Sequence, residues 1–91
     1  MHWKLFADLA EAAGESEPSV DAAEADTVGE ALDALLDAYP ALAVRVLDDD
    51  GDLRGHINLL RNGRDVREGE GLATPVDDGD ELALFPPVSG G

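Results

Sequence analysis

The residues of this chain best suited to chemistry stand at its end, in the run Phe85-Pro86-Pro87-Val88-Ser89-Gly90-Gly91. Pro86 and Pro87 cannot donate ladder hydrogen bonds, so a sheet must release the chain there. They also stiffen it into an extended, polyproline-like exit. The residues after them are small and uncharged. The expected result is a body over residues 1–85 and a thin, flexible arm over residues 86–91 that carries a carboxylate clear of it. A carboxylate is a poor acyl donor until it is activated. Its attack on the α-phosphate of ATP would give an acyl-adenylate, which a sulfur or nitrogen nucleophile can open. A catalyst of that step must close around the terminus and exclude water, because reactive acyl intermediates hydrolyse. Gly90 and Gly91 fit a narrow channel because they lack Cβ and tolerate unusual φ/ψ. With glycine at about 7% of average usage, two terminal glycines arise by chance in only about 0.5% of chains, which weighs against a purposeless frayed end.

Other candidate chemistry falls away on inspection. There is no cysteine, hence no disulfide, thiolate nucleophile or iron–sulfur ligand. His2 and His56 have no partner at metal-binding spacing and read as surface or edge residues. Asp48-Asp49-Asp50-Gly51-Asp52 resembles the start of a calcium loop. With Gly51 at loop position 6, however, Val46 and Ile57 occupy the first and last ligand positions, and neither can bind a cation. That run and Asp77 to Asp80 read as solvated acidic turns. No phosphate-binding glycine loop is present, so an enzyme that activates the terminus must bring its own ATP site. Arg61, Arg64 and Arg67 read as one basic cluster, either balancing hairpin charge or meeting an acidic partner.

Charge narrows the partners. Twenty-one Asp and Glu stand against six Lys and Arg, a formal net charge of -15. Such a chain repels nucleic-acid phosphate and anionic lipid. Its self-repulsion is relieved by salt, since at about 1 M the Debye length falls to roughly 3 Å, so a salt-rich cytoplasm is expected. Neither a signal peptide nor an apolar run of membrane-spanning length is apparent, and the chain is expected to be soluble, cytoplasmic and monomeric when alone.

The elements that must position the arm follow from periodicity. His2 to Ala7 alternates as a strand, with Phe6 blurring the pattern in the manner of a central strand covered on both faces. Asp8 to Ala13 reads as a short helix stopped at Gly14, and the stretch near Val20 as a short strand. Thr27-Val28-Gly29-Glu30 fits a capping box, with Glu30 reaching back to the Thr27 N–H. Val28, Ala31, Leu32, Leu35 and Leu36 then form one apolar helical stripe, ended by Tyr39-Pro40. Ala41 to Leu47 reads as either helix or strand. Ile57 to Leu60 reads as a strand, Asn62-Gly63 as a type I′ hairpin turn, and Asp65 to Arg67 as the return strand. Glu81 to Phe85 is the last strand, Leu82 and Leu84 on one face and Ala83 and Phe85 on the other. One long helix covering one sheet of several strands is an α+β two-layer domain. Phe85 is then either an exposed anchor for a partner or packed beneath a loop of its own domain.

The tail Leu84-Phe85-Pro86-Pro87-Val88-Ser89-Gly90-Gly91 resembles the end of the small subunit of molybdopterin synthase, and still more the small archaeal modifier proteins of halophilic archaea. Trp3-Lys4-Leu5-Phe6-Ala7-Asp8-Leu9-Ala10-Glu11, Thr27-Val28-Gly29-Glu30-Ala31-Leu32 and Ile57-Asn58-Leu59-Leu60-Arg61-Asn62-Gly63 fit the same family. The resemblance implies a β-grasp, ubiquitin-like fold, one mixed sheet of four to five strands covered by one main helix. It implies activation by an E1-like enzyme that uses ATP and magnesium, this chain binding no cofactor or metal of its own. It also implies two fates for Gly91: a thiocarboxylate that delivers sulfur to molybdopterin beside the synthase large subunit, or an isopeptide bond to a lysine of a target protein. Carried onto this sequence, Gly91 is the reactive residue and Gly90 its channel neighbour. Phe85, Pro86, Pro87, Val88 and Ser89 belong to the partner-binding segment. Lys4, the sole lysine, is the one side-chain acceptor for self-attachment. On this reading the chain is a consumed and regenerated carrier and not an enzyme. The alternatives are a β-grasp interaction module that never uses its terminus, and a non-catalytic subunit whose tail is a structural plug.

Overall fold

The computed structural model describes residues 1–21, 24–55, 57–77 and 79–86. Strand β1 (His2–Leu5) leads into helix α1 (Asp8–Ala13) and, after a long connection, helix α2 (Val28–Ala38). A 3₁₀ turn at Pro40–Leu42 joins the short helix α3 (Ala43–Val46), which resolves the open reading of that stretch as helical. Strand β2 (Asn58–Arg61) turns into the two-residue strand β3 (Arg64–Asp65), and strand β4 (Glu81–Phe85) ends the sheet. The strands lie in the order β1-β4-β2-β3, with β1 parallel to β4 and the other pairs antiparallel.

The core forms where the helical stripe meets the inner sheet face. Val28, Ala31, Leu32, Leu35 and Leu36 of α2 are buried against Trp3 and Leu5 of β1, Leu59 of β2, and Leu82 and Leu84 of β4. Each buried leucine or valine contributes about 1.5–3 kcal/mol through the apolar surface it removes from water. The α2 cap holds as expected on one side: the Thr27 hydroxyl accepts from the Glu30 N–H at 3.2 Å. The reciprocal arm differs. Glu30 Oε1 accepts from the Asp26 N–H at 3.2 Å and the Thr27 hydroxyl at 3.4 Å, one residue further back than a standard capping box. Residues 26–28 are also tied to 74–76, Val28 N–H to the Thr74 carbonyl and Val76 N–H to the Asp26 carbonyl.

Strand β1 ends at Leu5, earlier than its sequence pattern implied, because Ala7 takes a φ of 54° and turns the chain into α1. It is paired along both edges but buried on one face only. On the side away from β4, the Trp3 and Leu5 N–H groups donate to Pro18 and Ser16 carbonyls at 3.0 and 2.7 Å. The segment near Val20 is therefore no strand of its own. It is a partner for β1 whose ladder shrinks to an isolated bridge at Ser19, since Pro18 lacks the N–H a strand there would need. The return strand after the hairpin is likewise shorter than the Asp65 to Arg67 expected. The Asp65 carboxylate accepts from the Arg67 N–H at 2.8 Å and bends the chain into a 3₁₀ turn at Val66–Glu68. The hairpin turn itself is as read, with Asn62 and Gly63 at φ of 50° and 85°.

The acidic turn before β4 is not solvated throughout. Asp80 is buried. Its carboxylate accepts from Arg61 Nε (2.8 Å), Asn62 Nδ2 (2.9 Å) and the Asp77 N–H (2.8 Å). The Asn62 side-chain carbonyl accepts in turn from the Glu81 N–H. These bonds fix where β4 begins against β2. Because a slip of one residue would turn every β4 side chain to the other face, they also fix where Phe85 arrives.

Candidate functional site at the root of the C-terminal arm

The site is built where β4 runs out. Its last paired residue is Phe85, opposite Asn58 of β2. Leu82 and Leu84 point into the core, so Phe85 and Ala83 stand on the outer face. Leu60, opposite Ala83, shares that face, as does Lys4 from the other side. Phe85 is neither fully exposed nor beneath a loop: its ring stacks on Phe6, centroids 4.3 Å apart and planes 10° from parallel. These are the only two phenylalanines in the chain, and Phe6 itself is 39% exposed.

Phe6 was the residue that sequence reasoning missed. The signal was its break with the alternation of Trp3 and Leu5, which reflects an outer-face aromatic and not a strand buried on both sides. Lys4 lies on the same face, half-exposed and 3.5 Å from Glu81.

Pro86 follows at the end of the sheet and is partly buried in a cleft. Leu9, Val44 and Ile57 form its apolar walls, and Asp8, Arg45 and Arg54 its polar rim. Val44 is 73% exposed. Pro87, Val88, Ser89, Gly90 and Gly91 lie outside the described residues, as does His56. His2 sits at the edge of the sheet, 3.4 Å from Glu17. Among the described residues, no group of three or more His, Asp or Glu side chains is placed to hold a metal ion. In the Asp48 to Asp52 turn, Asp48 Oδ1 instead accepts from the Asp50 and Asp52 N–H groups.

The three arginines read as one cluster diverge. Arg61 is held by Asp80, and Arg64 stands exposed beyond it at the hairpin. Arg67 instead donates to the Arg54 carbonyl at 2.8 Å. Burial alone would raise the pKa of Asp80, but the Asp77 N–H, the Asn62 amide and the Arg61 guanidinium outweigh it and hold the carboxyl below its ordinary value.

The ThiS family pattern matches residues 3–91, nearly the whole chain. The chain belongs to the ThiS family. Within this family it is similar to small archaeal modifier protein 1 of Haloferax volcanii, 60% identical over 91 residues that cover all of both chains. It also resembles the sulfur carrier protein CysO of Mycobacterium tuberculosis, 37% identical over 71 residues, 76% of each chain. The crystal structure of the Haloferax volcanii protein superposes with a TM-score of 0.84 at 57% identity, covering 100% of this chain and 98% of the other. CysO in the Amycolatopsis orientalis BexX/CysO complex gives 0.85 at 28% identity, covering 99% and 98%. This ThiS-family chain therefore has the ubiquitin-like β-grasp fold, with a mixed sheet of four strands among its described residues. Among those residues, no helix is long and apolar enough to cross a membrane.

Proposed function

We propose that this chain is a ubiquitin-like protein modifier and sulfur carrier whose working residue is Gly91. One observation carries the reading: β4 ends on an aromatic stack and passes at once into proline at the edge of the fold. A partner can grip the body there while the arm runs on into a channel. The relatives support it, being by name a small modifier protein and a sulfur carrier protein.

The chemistry requires an E1-like enzyme with ATP and magnesium. The Gly91 carboxylate attacks the α-phosphate and displaces pyrophosphate. The acyl-adenylate is then opened by a sulfur nucleophile, which yields a thiocarboxylate for molybdopterin biosynthesis, or by a lysine amine of a target protein, which yields an isopeptide bond. Either way AMP leaves. The chain contributes no catalytic group to these steps and acts as co-substrate in the cytoplasm. The outer-face residues Phe6, Leu60, Ala83 and Phe85 offer an apolar seat for the activating enzyme or the synthase large subunit. Lys4, beside that seat, is the internal acceptor that a second activated copy would reach.

Intact-mass measurement after incubation with the E1-like enzyme, ATP, magnesium and a sulfur donor tests the reading. A sulfur-for-oxygen shift at Gly91 is expected, and in cells, after tryptic digestion, a branched peptide in which residues 68–91, the stretch that follows the last arginine, are joined through Gly91 to a target lysine. Removal of Gly90-Gly91 should abolish both. An unmodified terminus under both conditions would refute the proposal.

A further inference from the structure

At the root of the arm, three guanidinium groups are arranged in sequence along the surface. Arg54 donates Nε and Nη2 to the Val44 carbonyl at 3.3 and 3.1 Å. Arg67 donates Nη2 to the Arg54 carbonyl at 2.8 Å. Arg45, next to Val44 in α3, pairs with Asp8 at 2.9 Å. The first two partners are carbonyls, which hold a guanidinium in place without cancelling its charge. Among the described residues no carboxylate lies within ion-pairing distance of Arg54 or Arg67. On a chain with 21 acidic residues and a net charge of -15, these two neighbouring guanidinium groups keep their positive charge uncancelled. Arg45, Arg54 and the exposed Val44 line the cleft that holds Pro86, and Arg67 joins them through its bond to the Arg54 carbonyl.

We propose that Arg54 and Arg67, with Arg45 and Val44, form a docking site for an acidic segment of the activating enzyme beside the mouth of its channel. The inference rests on the functional reading above and deepens it by naming the chemistry of the contact. Charge complementarity supports the assignment. An acidic surface approaching most of this chain meets like charge, whereas here it meets two guanidinium groups held by backbone carbonyls, which have little side-chain freedom left to lose. Its position supports it too. A contact beside Pro86, the first residue of the arm, would orient the arm without touching Gly91. Such a contact affects encounter and affinity more than the chemical step.

The test is ATP–pyrophosphate exchange by the E1-like enzyme from the same cell, with the full chain as variable substrate. Arg54→Glu with Arg67→Glu should raise KM by about tenfold and leave kcat within about twofold. It should also flatten the rise of KM with KCl. Arg64→Glu is the control. It removes another arginine lacking a carboxylate partner, at the hairpin end of the sheet away from Phe85, and should leave KM unchanged. Arg54→Lys with Arg67→Lys keeps the charge and should recover most of the affinity. An unchanged KM in the double reversal, or an equal rise in the control, would overturn the proposal. If the double reversal does not fold, Arg54→Gln with Arg67→Gln carries the same expectation at smaller amplitude. A wild-type chain that supports no exchange at all would overturn the functional reading together with the strip. Exchange in the wild type with no KM effect in the variants would overturn the strip alone.

Discussion

The rings of Phe6 and Phe85 stack face to face, 4.3 Å between centroids, and join the exit of the first strand to the last residue of the sheet. This pair brackets the end of the sheet, one residue before Pro86. Removing either ring should cost little fold stability, because Phe6 is already 39% exposed. A double-mutant cycle of Phe6→Ala and Phe85→Ala, read by denaturant midpoints, should return a coupling of about 0.5–1.5 kcal/mol. Both variants should also weaken activation in the exchange assay. Full activity in a folded Phe85→Ala chain would remove the anchor role.

Asp80 should make the fold acid-sensitive. Its folded pKa lies below its ordinary value, so the stability it contributes is present above the unfolded pKa of about 3.9 and is lost as pH falls through the folded pKa. The urea midpoint, followed by the fluorescence of the single tryptophan, the buried Trp3, should fall as the pH drops from about 5 to about 3. Asp80→Asn should lose less over that range. At neutral pH, Asp80→Ala should cost about 2–4 kcal/mol, because it leaves the Arg61, Asn62 and Asp77 donors without their acceptor.

The core should respond according to burial. Leu32→Ala or Leu35→Ala, each at a buried position of α2, should destabilise by about 2–5 kcal/mol. Thr27→Ala should cost about 1 kcal/mol through the loss of one cap bond. Chemical denaturation of the three variants at one salt concentration checks the ranking.

Salt should stabilise the fold. With a net charge of -15, raising KCl from low to about 1 M contracts the Debye length to roughly 3 Å and screens the self-repulsion. The melting temperature should climb steeply over that range. A flat profile would mean that the acidic residues cost the fold little.

The sequence carried the body of this fold well and its surface relations poorly. Helix α2 was readable because its stripe, its cap and the Tyr39-Pro40 stop all agree. The Asn62-Gly63 turn was readable because few residue pairs tolerate positive φ twice. Misreadings arose where a side chain overrode a strand pattern. Asp65 captures the Arg67 N–H and cuts β3 short. Pro18 deprives the Val20 region of a ladder, although that region still shields the edge of β1. At the candidate site, Phe85 and Pro86 were found because they are contiguous with the tail. Phe6 joins them only through parallel pairing across the sheet. Arg45, Arg54 and Arg67 lie too far apart in sequence for any local pattern to connect them.

The parallel pairing of β1 with β4 has a practical consequence. Register from His2↔Glu81 to Leu5↔Leu84 places the first residues of the chain at one end of the sheet and the root of the arm at the other. Four strand residues separate them by about 13 Å at roughly 3.3 Å per residue. The Met1 ammonium donates to the Val20 carbonyl at 2.8 Å, and an amide nitrogen in its place keeps an N–H for that bond. A reporter, affinity handle or surface tether fused before Met1 therefore starts at the end of the sheet opposite Phe85 and Pro86, and should leave activation in the exchange assay unchanged.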